Sequence, residues 1–182
     1  MGNKKTTEYL DVLDEKGNKT GEIKSKKEAH DKGLWHKSVH VWFLNGKGEL
    51  LMQLRGEKLT HPNYWDISAA GHAVAGDDSV KTAIKETREE LGIILAPEQL
   101  KYIGTVKVSE ILNDNTYFNN EFNDVYLVQI DSPKFELETD GEVKETRWVS
   151  RQEFFKWVEE KRPDLVPHPE EYLLLFKYLE NL

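Results

Sequence analysis

The sequence predicts one layered domain with helices packed on a β-sheet, an α/β or α+β arrangement. Three observations carry this. The chain has 182 residues, and single domains commonly run to roughly 100–200 residues. The run Ser38–Leu44 is strongly β-prone, with Val39, Val41 and Phe43 on one face and His40, Trp42 and Leu44 on the other. Both faces are partly apolar, so this strand is expected to be central and covered on both sides. Residues 79–91 place Val80, Ala83, Ile84, Thr87 and Leu91 at helical spacing and stop at Gly92, as an amphipathic helix does.

The other elements follow in order. Residues 8–13 and 20–24 read as short strands around a turn at Asp14–Asn18. Residues 25–33 are polar and read as a short helix or loop. Asn45-Gly46-Lys47-Gly48 separates Ser38–Leu44 from Glu49–Leu54, the strongest hairpin signal in the chain. Residues 55–65 form a loop containing Pro62-Asn63, and Trp65–Ala70 a short strand. Ser79 is the expected N-cap of the helix over 79–91. Residues 100–109, 121–130 and 147–149 are β-like. Ser150 is placed to cap a helix running to about Glu160, and residues 170–179 form a last helix after Pro163, Pro167 and Pro169. There is no repeat and no separating linker, so residues 1–182 are read as one domain, with C-terminal helices at about 151–180.

Composition narrows the function. Twenty-five Lys and Arg face 33 Asp and Glu, a net charge of −8. That balance argues against a protein that coats long nucleic acid, but not against a small anion held by a metal or a local cation. The chain has no cysteine, which removes disulfides, thiolate metal sites and thiol nucleophiles. No apolar run approaches the roughly 18 residues of a membrane span, and the first residues lack an apolar signal segment. A cytoplasmic setting and a small-molecule partner are the expectation. A strand such as 100–109 could pair across a homodimer.

Glu86, Glu89 and Glu90 stand at i, i+3 and i+4 on the predicted helix, which puts three carboxylates on one side of it. Their mutual repulsion predicts that Glu90→Gln slightly stabilises the metal-free fold. Oxygen ligands at this density suit Mg²⁺ or Mn²⁺; the plain alternative is a solvated acidic face. Arg55 and Lys58 follow a strand and are candidates to grip a diphosphate, with solvated surface cations as the alternative. Glu121 reads as a ligand, a general base or an edge-strand charge. His40 reads as structural, and His61 and His168, beside prolines, as surface residues.

The segment Gly71–Ile93 resembles the Nudix box. Gly71, Glu86, Glu89, Glu90, Gly92 and Ile93 match it in type and spacing. Asp77 stands where Glu is usual, Lys85 where Arg is usual and Thr87 where an aliphatic residue is usual. Lys85 cannot make the planar bidentate pair of an arginine. The resemblance implies an α/β/α sandwich with a mixed sheet, in which the box forms a loop–helix–loop. It also implies Glu86 and Glu90 as main metal ligands, Glu89 as a third and the Gly71 carbonyl completing the site. The activity implied is Mg²⁺-dependent cleavage of a diphosphate linkage.

A second resemblance covers nearly the whole chain. Asp11–Gly21, Ala29-His30, Trp35-His36, Arg55 and Trp65–His72 are similar to the branch that includes isopentenyl-diphosphate isomerase. It implies a further divalent metal at His30, His36, His72 and Glu121, with Asn119 where a second glutamate is usual. Ala70 takes the place of the isomerase cysteine, and an alanine methyl carries no proton. The expected function is therefore Mg²⁺- or Mn²⁺-dependent hydrolysis of a small nucleoside-diphosphate-like or other organic diphosphate. The alternatives are the isomerase reaction and a catalytically silent binding module.

Overall fold

The computed structural model describes residues 7–131 and 141–182. Its strands are β1 (Tyr9–Leu13), β2 (Lys19–Ser25), β3 (His36–Leu44), β4 (Glu49–Arg55), β5 (Trp65–Asp66), β6 (Ala69–His72), β7 (Lys101–Leu112), β8 (Tyr117–Gln129) and β9 (Val143–Ser150). Its helices are α1 (Lys26–Lys32), α2 (Ser79–Leu91), α3 (Arg151–Glu159) and α4 (Pro169–Leu179). β1 and β2 make a separate two-stranded ribbon. The main sheet runs β5-β4-β3-β8-β7, with β6 also on β3 and β9 also on β4.

β3 is central, as its two-sided pattern predicts. Val39, Val41 and Phe43 join Ala83, Leu91 and Val128 in the core under α2. Trp42 and Leu44 join Phe154, Trp157, Tyr172 and Leu175 in the core under α3 and α4. The sheet is thus sandwiched between helical layers, the α/β/α arrangement that the sequence resemblance implies. It is mixed because β3 runs parallel to β8 while β6 runs antiparallel to β3.

Local expectations needed three corrections. The turn at Asn45–Gly48 forms, closed by Gly48 N–H on the Asn45 carbonyl at 2.9 Å, but β3 and β4 share only the pair Leu44 and Leu50. The rest of that edge of β3, Ser38 through Val41, is paired by β6, while β8 takes the opposite edge over nine positions and β9 pairs with β4. Turn chemistry fixes a reversal, not which neighbours the strands then choose. Helix α2 is capped by Asp78, whose Oδ1 accepts Lys81 N–H at 2.8 Å, and not by Ser79. The strands expected at 100–109, 121–130 and 147–149 extend to 101–112, 117–129 and 143–150, the first two forming one long hairpin.

Candidate metal centres

Strand β6 organises the site because successive side chains leave a strand on opposite faces. Gly71 pairs with Val39 and faces the α2 layer, while His72 pairs with Ser38 and faces the α4 side. The box carboxylates lie on one face and the cluster of His30, His36 and His72 on the other.

On the α2 side, the box glutamates come down onto β6. The Glu86 carboxyl lies where a Cβ on Gly71 would be. The glycine is therefore required for close approach, not for its dihedral angles. Glu90 is buried at 5% exposure. Its Oε2 accepts from Gln53 Nε2 and from the Ala70 backbone N–H, both at 3.1 Å, and its Oε1 from Lys58 Nζ. Glu89 reaches solvent. Lys85 Nζ bridges Glu86 Oε1 at 3.0 Å and Glu89 Oε2 at 3.3 Å. Burial pushes the Glu86 carboxyl up to about 7; Lys85 opposes the shift, while Glu90 and Glu89 add to it. Glu86, Glu89 and Glu90 make an oxygen-only donor set of the kind that suits a hard divalent ion, while the Gly71 carbonyl accepts from Ser38 Oγ at 3.2 Å.

The expected gain in stability from Glu90→Gln is overturned here. Glu90 is a buried, triply hydrogen-bonded counter-ion of Lys58 and not a repelled surface charge. Removing its charge leaves a buried ammonium with only Glu142, at 3.6 Å, so the substitution destabilises.

On the α4 side, His30, His36, His72 and Glu121 offer ligand atoms all within 4.8 Å of one another. The three imidazole centroids are 4.7 to 5.2 Å apart. They come from α1, β3 and β6, and Glu121 from β8, where it pairs with His36. β8 lies between β3 and β7, so Glu121 is not an edge-strand charge. Nδ1 of His30 is anchored on the Phe118 carbonyl at 3.1 Å and Nδ1 of His36 on the Leu34 carbonyl at 2.8 Å. Those bonds fix the tautomers that turn each Nε2 inward. Tyr117 stacks on His30 with centroids 4.1 Å apart.

Nε2 of His72 stands 2.9 Å from Glu121 Oε1 and 3.2 Å from His30 Nε2. Nε2 of His36, 3.4 Å from the same carboxylate oxygen, is buried with no hydrogen-bond partner. Burial, with the neighbouring His72 and His36, lowers His30 to about 3. Burial, with Lys26, lowers His72 to about 4. Both are therefore neutral, ligand-competent imidazoles near pH 7. Burial opposes ionisation of Glu121, yet His36 and His72 hold it well below the usual carboxylate range. Asn119, where a further carboxylate was in question, donates Nδ2–H to Glu121 Oε2 at 3.1 Å. This donor set fits a borderline ion such as Zn²⁺ or Mn²⁺.

Arg55 and Lys58 lie near the box but are already paired. Arg55 Nη1 donates to Asp66 Oδ2 at 2.6 Å, and Nη2 to the Thr60 carbonyl at 3.0 Å. His40 is structural, as expected: its Nδ1 contacts Glu171 Oε2 at 2.6 Å, and Trp42 Nε1 donates to Glu171 Oε1 at 2.7 Å. His168 is not a surface residue. Its Nε2 donates to buried Asp66 at 3.0 Å, and its side chain is 17% exposed. The prolines on either side steer it inward, over His40. Sequence reasoning passed over Gln53, Asp66 and Glu171. The polar residue at Gln53, inside the apolar run of β4, was the available signal.

Comparison with known proteins gives the family and the fold. The NUDIX domain family matches residues 34–173. Nudix hydrolase 3 of Arabidopsis thaliana is 40% identical over 88% of this chain, a match that spans only 22% of that longer protein. An isopentenyl-diphosphate Delta-isomerase of Streptomyces avermitilis is 29% identical over 79% of this chain and 72% of its own. A crystal structure from Deinococcus radiodurans has the same fold, with a TM-score of 0.67 at 18% identity over 92% of this chain and 97% of that one.

Proposed function

We propose that this chain, which belongs to the NUDIX domain family, hydrolyses a diphosphate linkage in a small nucleoside-diphosphate-like or other organic diphosphate, using Mg²⁺ or Mn²⁺. The observation that carries the reading is the convergence of Glu86 and Glu90 on β6 at Gly71. Glu86, Glu89, Glu90 and the Gly71 carbonyl would hold the cation. When bound, it polarises phosphoryl oxygens and lowers the pKa of a water. Gln53 and the Ala70 N–H orient Glu90 through Oε2. A carboxylate of the site takes the proton of the attacking water. Arg55, the candidate cation for the phosphates, is held by Asp66 and Thr60.

The unpartnered Nε2 of His36 supports a second centre, with His30, His36, His72 and Glu121 as its ligands. Elemental analysis of protein purified without chelator is expected to find Zn or Mn near one equivalent. In His36→Gln that metal is expected to be lost while the helical content is retained. Metal-free wild-type protein that takes up no Zn²⁺ in dialysis counts against the centre.

The isomerase reaction needs two proton-transferring groups on either side of the substrate. Glu121 could serve as one. Ala70, on the same face of β6 as His72, is the other position and carries no exchangeable proton. The experiment is a panel of nucleoside and organic diphosphates with Mg²⁺ or Mn²⁺, isopentenyl diphosphate included, followed by phosphate release and by NMR. Hydrolysis of at least one member is expected, with no dimethylallyl diphosphate formed. Isomerisation on the order of 1 s⁻¹ or faster would replace this reading with the isomerase one.

A further inference from the structure

Both oxygens of Glu90 are already occupied. Oε2 is held by Gln53 and Ala70, and Oε1 by the ammonium of Lys58. Oε2 faces neutral donors that only orient the carboxylate, so Oε1 is the oxygen left for a cation, and a cation is on it. Lys58 is itself largely buried, its side chain 15% exposed. An ammonium and a divalent ion cannot share one carboxylate oxygen at contact distance without strong repulsion.

We infer that Lys58 is a resident counter-ion of the box and that it exchanges with the divalent metal. In the metal-free protein Lys58 neutralises Glu90 and keeps its carboxylate in position. Metal loading displaces the ammonium from Oε1. The inference rests on the box being a metal site, as proposed above.

The surroundings provide for the exchange. The backbone of Lys58 is fixed in a tight turn, its N–H donating to the Gly56 carbonyl at 2.9 Å, while Gly56 N–H donates to the Glu142 carbonyl at 2.8 Å. Arg55 fastens the rest of the loop through Thr60. Only the four-carbon stem of the lysine has to move. Glu142 Oε2 lies 3.6 Å from Nζ, so a displaced ammonium keeps an anionic neighbour. Lys85, the other cation of the box, bridges Glu86 and Glu89 and does not touch Glu90 in this way. Lys58, from outside the box, and Lys85, within it, therefore hold different carboxylates.

The test is a Mn²⁺ titration of the full chain without substrate, following free Mn²⁺ by electron paramagnetic resonance. The box site is identified as the one that Glu86→Gln removes. Lys58→Met keeps the apolar stem and deletes the charge. It is expected to tighten that site by about tenfold, since a competing cation beside a mostly buried carboxylate is gone. Lys58→Arg, which keeps the charge, is expected to bind no tighter than wild type. Acetylation of Lys58, read by peptide mass, is expected to speed up when Mn²⁺ is added to wild-type protein. A box site in wild type that Lys58→Met leaves unchanged or weakens, with acetylation unaltered by Mn²⁺, overturns the exchange and leaves the metal site standing. Absence of any Glu86-dependent site in both proteins overturns the metal site and the exchange together.

Discussion

Glu90→Gln is expected to lower diphosphate hydrolysis by at least about 10²-fold, the scale of losing one electrostatic or acid–base contribution in a catalytic site. The amide keeps the shape of the side chain and can still accept from Gln53 and the Ala70 N–H through its oxygen. What it loses is the negative charge, and with it the attraction for the cation. The same change costs stability, because buried Lys58 is left with Glu142 alone. A fall of about 1–3 kcal/mol in unfolding free energy, the penalty of leaving a buried polar group short of its partner, is expected in denaturant titration of the metal-free protein. The two readouts separate the roles when the rate is read at saturating Mg²⁺ and the folded fraction at assay temperature stays high. Turnover within a few-fold of wild type would remove Glu90 from the site.

Asp66→Asn is expected to produce the largest loss of stability of any single change near the site. Asp66 is 2% exposed and accepts from both Arg55 and His168. Burial opposes its ionisation, and His168 and Arg55 overcome that, holding it far below the usual carboxylate range. Removing one partner of such a buried charged set costs about 3–5 kcal/mol, read as a drop in the denaturant midpoint.

The pH dependence of stability gives a second check on the same network. Burial pulls the His168 imidazole down, but Asp66, and further off Glu171 and Glu110, push it up to about 9. A group protonated more tightly when folded stabilises fully below its unfolded pKa, about 6.5. That contribution drains away as pH rises from there through about 9, to a total of about 3 kcal/mol. Wild type is therefore expected to lose stability across this window, and Asp66→Asn to show a flatter profile. An unchanged slope in the variant would show that Asp66 does not hold the proton on His168.

Much of the fold was legible because its signals are local and periodic. The two-faced run Ser38–Leu44 announced a strand covered on both sides, and the spacing of Ala83, Thr87 and Leu91 announced the helix that covers one of them. The box glutamates were legible for the same reason, since i, i+3 and i+4 fix relative directions without any tertiary knowledge. Long-range choices were not legible. Nothing near Asn45–Gly48 says that β6 will take most of the β3 edge next to β4, or that β8 will take the other edge. Arg55 and Lys58 read as free cations because the carboxylates that hold them, Asp66 and Glu90, are set by how a loop folds back. His168 read as exposed between two prolines, although its acceptor lies on a strand about a hundred residues earlier. The histidine centre was reachable only by resemblance, since no spacing rule connects His30, His36 and His72.

The parallel pairing of β3 with β8 also governs the order in which the molecule can assemble. Parallel neighbours need a crossover, and here the contacts it closes are distant: the His30 ring meets the Phe118 carbonyl across 88 residues, and Lys37 meets Asp124 across 87. Loop-closure entropy for such contacts must be met before they repay it, which slows folding. The box helix and its strand β6 are near neighbours in sequence and can come together early. The imidazole centre cannot be complete until the second half of the chain has docked, since Glu121 and the Phe118 carbonyl that anchors His30 arrive with β8. A chain stalled before that event carries the carboxylate cluster but leaves His30 without its anchor and all three histidines without Glu121.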